Sequence, residues 1–436
     1  MVEQRELSEG EARSLEGRTL YVPRMTYSGA RAFVSAFRSV GVAAEVVPPA
    51  DQRTLELGYK YGSGEECLPE IVTLGNFMKI IEQPNFHPIR TAFFMPLAGG
   101  PCRFGQYTPF LRKVLRQVGY EDVLVLSPTS ADGYAGVGDV VGELMRTGFR
   151  ALIGADVLRK ALLRTRPYEI TAGDADEAYA ASLDDFCETV ERRGRSTREK
   201  LADMAAALQR GRRRFRDVPA RYLPGKPFIG VVGEIYCRLN TFSNEELVVQ
   251  LENKGAECWI SDLTEWVFYV NHQKIIDLKF TERGWSLERL QTELRDRVQR
   301  RDEHAIVEPF RREFEGMEEP HSIAELMRYA SPYLRPGGAL GEMIMSVSKA
   351  VHFHHKGCDG IVDISPFTCM NGIVSESVYP RLSADHDDIP IRNFYFDGSF
   401  ADKEADVEIF IELARNYQRR KKVPRRYPPG FDGHQG

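Results

Sequence analysis

Two stretches of the chain, residues 18–48 and 226–261, follow the same order of strand, helix and strand. In each, a short run rich in β-branched and aromatic residues precedes an amphipathic segment. Gly41 ends the first of these segments and Gly255 ends the second. Strands that alternate with helices pair side by side, because each helix returns the chain to the start of the next strand. The pattern therefore predicts an α/β protein with parallel sheets.

We expect two flavodoxin-like or Rossmann-like units that face each other across a cleft, with an inserted helical region. The middle of the chain has helical periodicity and few β-branched runs, so it should be helical. The basic, proline-bearing C-terminal tail is expected to be disordered. The predicted parts are a charged N-terminal segment (1–17), the first α/β unit (18–138), a helical region (139–222), the second α/β unit (223–420, with a helical insertion at about 271–350) and the tail (421–436).

Charge and hydropathy exclude two classes of protein. The net charge is −5, whereas proteins that bind nucleic acid usually carry an excess of basic residues. No run of eighteen apolar residues is present, so we expect no membrane span. The first residues are charged and lack the apolar core of a signal peptide. These features predict a cytoplasmic protein that binds neither nucleic acid nor a membrane.

Three of the seven cysteines share one local context. Cys67, Cys102 and Cys369 each lie in a turn flanked by Gly or Pro, directly before a predicted helix. The turn before Cys102 is the glycine–proline stretch 99–101. A helix N-terminus lowers the pKa of a thiol and leaves backbone N–H groups that can donate to sulfur. In a reducing compartment such cysteines are more often metal ligands or catalytic thiols than disulfide partners.

The other four cysteines are weaker candidates. Cys187 and Cys258 lie in apolar elements and are expected to be core residues. Cys237 follows a strand of the second unit, and Cys358 lies eleven residues before Cys369, so each is a secondary candidate for a metal ligand. The absence of a C-x-x-C pair leaves a zinc ribbon without support.

A run of histidines, "HFHHKG", allows two interpretations. His352 and His355 are spaced so that one helix face could present both to a metal ion. We favour a helix C-terminus, with cationic side chains near the negative end of the helix dipole and Gly357 as the residue that stops the helix.

Four motifs carry a resemblance to a known family. The segments "GEECLPEIVTLGNF", "PLAGGPCRFGQY", "GEIY" with "FSNEEL", and "DGIVDISPFTCMNGIVSESV" resemble a domain of proteins related to activators of 2-hydroxyacyl-CoA dehydratases. That domain is distantly similar to the iron–sulfur subunits of the dehydratases themselves. The resemblance extends over about residues 18–418.

The resemblance implies an iron–sulfur centre. Dehydratase subunits carry two flavodoxin-like units and a helical part, and three cysteines hold an oxygen-sensitive [4Fe–4S] cluster between the units. The fourth iron is open to a non-cysteine ligand or to substrate. Carried over by motif, the ligands here are Cys67, Cys102 and Cys369, and a larger iron–sulfur assembly is the alternative cofactor.

The resemblance also implies a partner and a reaction. A separate ATP-dependent activase delivers one low-potential electron, with which the dehydratase forms a ketyl radical on a CoA thioester and expels a hydroxyl. The present chain has no activase-type ATP site and no recognisable CoA pocket in its sequence. We therefore expect an oligomeric iron–sulfur component that acts on a small substrate, a 2-hydroxyacyl-CoA or another acyl-CoA.

Two other functions stay open. The first is a non-enzymatic electron carrier or accessory protein with the same cluster. The second is a module without a cluster, which binds a small anion or nucleotide at helix N-termini.

Polar residues near the candidate ligands should bind substrate or tune the cluster by hydrogen bonds. The alternative is that they are helix caps and solvated loop residues; Ser243 and Glu246, for example, fit a capping box at the start of a helix. No catalytic residue is assigned. The candidates are Glu66, Arg103, Glu234, Tyr236, Asn240, Asn244 and Asn371.

Overall fold

The computed structural model describes residues 15–97, 102–128, 141–280, 286–335 and 339–431. Most of the predicted N-terminal segment, the turn at 99–101 and the last residues of the tail lie outside the described residues. Within the described ranges, none of the helices has both the length and the apolar character that crossing a bilayer requires.

The strands form two separate four-stranded sheets in which every neighbouring pair is parallel. Both sheets have the same strand order, β2-β1-β3-β4 in the first and β6-β5-β7-β8 in the second. This arrangement confirms the predicted α/β class with two parallel-sheet units. The first unit contains β1 (Thr19–Val22), α1 (Tyr27–Ser39), β2 (Ala44–Val46), α2 (Gln52–Tyr61), α3 (Leu68–Ile81), β3 (Thr91–Phe94), α4 (Tyr107–Gln117) and β4 (Leu124–Leu126).

Helices follow the first unit and interrupt the second. The connecting region contains α5 (Val141–Thr165), α6 (Asp174–Glu191) and α7 (Thr197–Asp217). The second unit contains β5 (Phe228–Gly233), α8 (Ile235–Leu239), α9 (Leu247–Asn253), β6 (Glu257–Ile260), α10 (Glu265–Phe280), α11 (Leu287–Val307), α12 (Ile323–Ala330), α13 (Glu342–His355), β7 (Gly360–Pro366), α14 (Met370–Asp385), β8 (Ile391–Phe396) and α15 (Glu404–Arg420). Short 3₁₀ helices lie at Pro88–Arg90, Arg103–Gln106, Arg166–Tyr168 and Glu308–Phe310.

The two units share one hydrophobic core. A single apolar cluster joins Leu20 of β1, Leu158 of α5 and Phe228 of β5. Strand β5 is buried along its whole length, and Gly230 makes room there for a ring, since a Cβ at this position would lie 2.2 Å from Phe353. Burial on both faces is typical of a parallel strand covered by helices, and it explains the continuous apolar run "FIGVVG".

The C-terminal tail is ordered over residues 421–431, so the expectation of disorder is wrong for this part. Arg425 is buried and forms an ion pair of 2.7 Å with Glu257, the first residue of β6. Lys421 pairs with Asp359, which precedes β7, at the same distance. The basic residues therefore neutralise carboxylates that are buried at the amino-terminal ends of β6, an edge strand, and β7, a central strand, a role that composition alone does not reveal.

The predicted capping box at Ser243 and Glu246 is also wrong. Helix α9 begins only at Leu247, and Glu246 is in the left-handed conformation with φ 55°. The side chain of Asn244 donates to the carbonyl oxygens of Cys237 and Arg238 instead. The segment before α9 therefore caps the C-terminal end of α8 and does not form an N-terminal capping box for α9.

Candidate metal centre

The three candidate thiols occupy equivalent positions at the N-caps of helices. Cys67 precedes α3, Cys102 precedes the 3₁₀ helix before α4, and Cys369 precedes α14. All three have extended backbone, with φ between −75° and −67°. The predicted position, directly before a helix, is thus present at each.

One guanidinium joins the loops that carry these thiols. Arg103, next to Cys102, donates to the backbone oxygen of Glu65, two residues before Cys67. It also donates to the backbone oxygen of Thr368 at 2.9 Å and to the Thr368 hydroxyl at 2.7 Å. Since Thr368 directly precedes Cys369, Arg103 ties a loop of the second unit to two loops of the first.

The backbone at this junction is strained. Thr368 has a φ of 63°, in the left-handed region that β-branched residues rarely adopt. Such a conformation costs on the order of 1–3 kcal/mol and persists only where surrounding contacts hold it. The two hydrogen bonds from Arg103 are contacts of this kind. They hold the residue before Cys369 in a conformation that the free chain would avoid.

The half-buried carboxylate of Glu234 acts on all three sulfurs. Gly233 ends β5 with a φ of 118°, and a Cβ there would lie 2.1 Å from the oxygen of Ile364. Glycine at this position therefore lets the chain turn tightly into Glu234, whose carboxylate accepts from the N–H groups of Tyr236 and Cys237 at 2.9 and 2.7 Å. The charge of Glu234 acts on the thiols of the three candidate cysteines, raising the pKa of each.

The expectation that these thiols have lowered pKa values is wrong for the metal-free protein. Burial, with a contribution from Glu234, raises the pKa of Cys67 to about 11. Cys102 is exposed as a residue, but desolvation of its thiol, with contributions from Glu342 and Glu234, raises the pKa of Cys102 to about 12. The pKa of Cys369 is raised further for the same reasons. Desolvation and carboxylates outweigh the helix N-termini here, so the thiols are protonated at neutral pH.

Further groups close to the thiols were not identified from the sequence. The hydroxyl of Tyr107 lies 2.9 Å from the Cys67 sulfur. Burial and then repulsion from Glu234 raise the pKa of Glu342 to about 8, and burial together with Glu66 raises that of Glu70 to about 7. Both carboxyls therefore keep a proton over a substantial part of the neutral range.

Two other predicted polar residues lie close to this centre. The carboxylate of Glu66 accepts from the N–H groups of Ser63 and Gly64, so it shapes the turn before Cys67. Asn371 is buried, and its Oδ1 has no hydrogen-bond partner. This oxygen lies 3.6 Å from where a Cβ on Gly341 would stand, beside the start of α13.

The remaining predicted polar residues have structural contacts. Tyr236 is buried in an apolar cluster with Leu68 and Ile71 of α3. The amide of Asn240 donates to the oxygen of Arg24 at 2.7 Å and accepts from the N–H of Ser243 at 2.9 Å. Asn244, as described above, holds the end of α8. These contacts are those of cap and packing residues, although Oδ1 of Asn244, like that of Asn371, is buried without a hydrogen-bond partner.

The structure separates the two secondary cysteine candidates. Cys237 is fully buried, close enough to Cys67 and Cys369 to interact electrostatically, and its sulfur contacts the oxygen of Ser243 at 3.8 Å. Cys358 is buried before the amino-terminal end of β7, whereas Cys369 follows the carboxyl end of the same strand. Cys358 is therefore not brought together with the candidate trio.

The core assignments and the absence of disulfides agree with the sequence-based interpretation. Cys187 and Cys258 are buried in apolar clusters, and all seven cysteines are free thiols. Helix α13 ends at His355 and Gly357 has a φ of 78°, as expected for a helix stop. The cationic interpretation of the histidines fails for His352, because burial and Lys349 lower its pKa to about 3.

A surface cleft of about 330 Å³ lies beside the Cys67 loop, between this loop and α4. Its lining includes Glu65, Glu66 and Glu70, opposed by Lys113. This acidic character disfavours the phosphate groups of a nucleotide or of CoA in this cleft, so the cleft is not offered as the site for a CoA thioester.

The comparisons with known proteins add no relative: the chain matches neither a protein-family model nor a curated protein sequence.

Proposed function

We propose that the chain is an iron–sulfur protein in which Cys67, Cys102 and Cys369 hold a [4Fe–4S]-type cluster. In this proposal a partner ATPase supplies low-potential electrons for reductive chemistry on a small substrate, with a 2-hydroxyacyl-CoA or another acyl-CoA as the first candidate. We further propose that the protein works in the cytoplasm, as an oligomer.

The observation that carries the proposal is the link made by Arg103. The three cysteines are separated by 35 and 267 positions in the chain, yet the guanidinium of Arg103, the residue after Cys102, bonds to the loops that carry Cys67 and Cys369. A structural protein has no need to fasten three thiol-bearing turns from two units together. A metal cluster does, because its ligands must converge before it can bind.

The residues around the thiols fit such a cluster. The N–H of Phe104 donates to the Cys102 sulfur at 3.4 Å, and the Tyr107 hydroxyl is within reach of the Cys67 sulfur. Hydrogen bonds to sulfur are one means by which proteins set cluster potentials. At the third cysteine, the backbone N–H groups of Gly372 and Asn371 hydrogen-bond to the Cys369 sulfur. Because the thiols are protonated without metal, cluster binding should release about three protons.

A cluster with three protein ligands would supply one-electron transfer and an iron open to an exogenous ligand. The chain itself supplies protons. Glu342 is buried and Glu234 is half-buried, and Glu342 keeps its proton up to a pH of about 8. A carboxylic acid in this position can protonate a hydroxyl that leaves a reduced substrate, which makes departure as water easier.

The test is anaerobic reconstitution of the full-length chain with iron and sulfide. The expected result is a brown protein with about four irons and four sulfides per chain, on the stoichiometry of one cubane cluster. Cys102→Ala should lose the visible absorption. Cys258→Ala is the matched control, since it removes a thiol that lies in the apolar core, and it should keep the cluster.

Two results would separate the alternatives. If the parental chain binds no more iron than Cys102→Ala, the cluster is excluded and a cluster-free binding module becomes the better interpretation. If the cluster forms but its reduced state does not react with an acyl-CoA thioester, the protein is an electron carrier or accessory protein rather than an enzyme.

A further inference from the structure

Three histidines converge at the end of α13 that is opposite to Glu342. His354 and His355 belong to the last turn of α13, and His386 is the C-cap of α14. One nitrogen of each ring lies within 4.8 Å of a nitrogen of the other two. The ring centroids are 4.8 Å apart for His354 and His386, and 5.9 Å apart for His355 and His386.

The central histidine has no partner for its polar atoms. His354 is 6% exposed, and neither of its ring nitrogens makes a hydrogen bond. The nearest carboxylate oxygen, Oδ2 of Asp387, is 3.8 Å from its Nε2, which is beyond hydrogen-bond distance. Buried polar atoms of this kind are rare in proteins and call for an explanation. A cation held by the three rings would provide one.

The hydrogen bonding of His386 suits metal binding. Nδ1 of His386 lies 2.8 Å from the carbonyl oxygen of Leu382, which can only accept, so Nδ1 carries a hydrogen. In the neutral imidazole, Nε2 then has the lone pair that can bind a metal. A backbone carbonyl that fixes the tautomer in this way is a common feature of histidines that bind metals.

We propose that His354, His355 and His386 form a binding site for a divalent transition-metal ion, with zinc as the favoured occupant. Three imidazoles are a ligand set that suits zinc, and the fourth tetrahedral position is left to solvent because His355 is exposed. The ion would fasten the C-terminal end of α13 to that of α14. Helix α13 has 14 residues, so the site is about 20 Å from Glu342 and independent of the cysteines.

Cobalt(II) is the probe that distinguishes this site from the thiols. Thiolate-bound cobalt absorbs intensely in the near ultraviolet, whereas cobalt bound by imidazoles shows only weak visible bands. We expect one equivalent of cobalt to give the visible bands in the full-length, metal-free chain, and zinc to displace it. His355→Ala, which changes an exposed side chain and should leave the fold intact, should weaken binding at least tenfold.

The matched control is His304→Ala, which removes an exposed histidine from α11 and should bind cobalt as the parent does. The proposal is overturned if the parent shows no such bands, or if His355→Ala retains them at the same affinity. Because the iron content of reconstituted protein tests the cysteines alone, failure of one proposal is distinguishable from failure of the other.

Discussion

Replacement of Arg103 by alanine tests whether the three thiol-bearing loops are held together for a purpose. The variant loses all three hydrogen bonds that the guanidinium makes, one to Glu65 and two to Thr368. Each bond contributes about 0.5–1.5 kcal/mol, at the lower end where solvent competes, as it does here. We therefore expect the free energy of unfolding to fall by only about 1–2 kcal/mol.

The effect on the cluster should be larger than the effect on the fold. Without Arg103 the second-unit loop before Cys369 is no longer tied to the first unit at this point, so the ligands must be ordered when the cluster binds. A penalty of about 1.4 kcal/mol would make the loss of iron to a chelator about tenfold faster. Arg103→Lys should fall between the parent and the alanine variant, because an ammonium cannot reproduce the fork of the guanidinium.

The assay is the rate at which reconstituted protein loses iron to a chelator without oxygen. Alkylation of Cys369 in the metal-free protein, measured by mass spectrometry, gives a readout that does not depend on the cluster and should become faster. Arg112→Ala is the control: this arginine of α4 donates to the oxygen of Val125 within the first unit. If Arg103→Ala loses iron no faster than Arg112→Ala, the three loops are not held together for a cluster.

Three further substitutions test other parts of the structure by urea unfolding. Thr368→Gly should be about 1 kcal/mol more stable than Thr368→Ala. Both variants lack the hydroxyl, but only glycine adopts the left-handed backbone without strain. Equal stabilities would show that the backbone at this position is not strained. Lys349→Met should cost about 3–5 kcal/mol, because it leaves the carboxylates of Glu265 and Glu319 without their buried partner; a loss below 1 kcal/mol would contradict this. Glu70 has a pKa of about 7 in the fold, above the value of an unfolded chain, so its contribution to stability is lost as pH rises from about 4.5 to 7. Glu70→Gln removes this titration. Between pH 4.5 and 7.5 its free energy of unfolding should therefore fall by about 2 kcal/mol less than that of the parent, and an equal fall in both proteins would contradict the raised pKa.

The fold was predictable where the information is local. Gly41 and Gly255 follow their helices in the left-handed conformation, and the apolar segments after these glycines form the strands β2 and β6. The turn before Cys369 was visible for the same reason, since Pro366 ends β7 and α14 begins four residues later. In these places a few neighbouring residues decide the backbone.

The positions of the three candidate thiols before helices were predictable, but their surroundings were not. Arg103 reaches a residue 265 positions away, and nothing in its own sequence neighbourhood indicates that partner. The pKa of the thiols was misjudged for a related reason: the helix N-terminus is local, whereas the opposing charges of Glu234 and Glu342 come from the second unit. The tail was misjudged because Arg425 is neutralised by Glu257, 168 positions earlier.

The placement of the thiols in the chain has a consequence for biosynthesis. Cys67 and Cys102 lie in the first unit, but Cys369 follows β7, which pairs with β5 in the second unit. At about 5–20 residues per second, a ribosome needs roughly 15–50 s to translate the stretch between Cys102 and Cys369. During that time the nascent chain exposes two of the three thiols without the third. Any metal that requires all three thiols can therefore be inserted only after Cys369 has emerged from the ribosome.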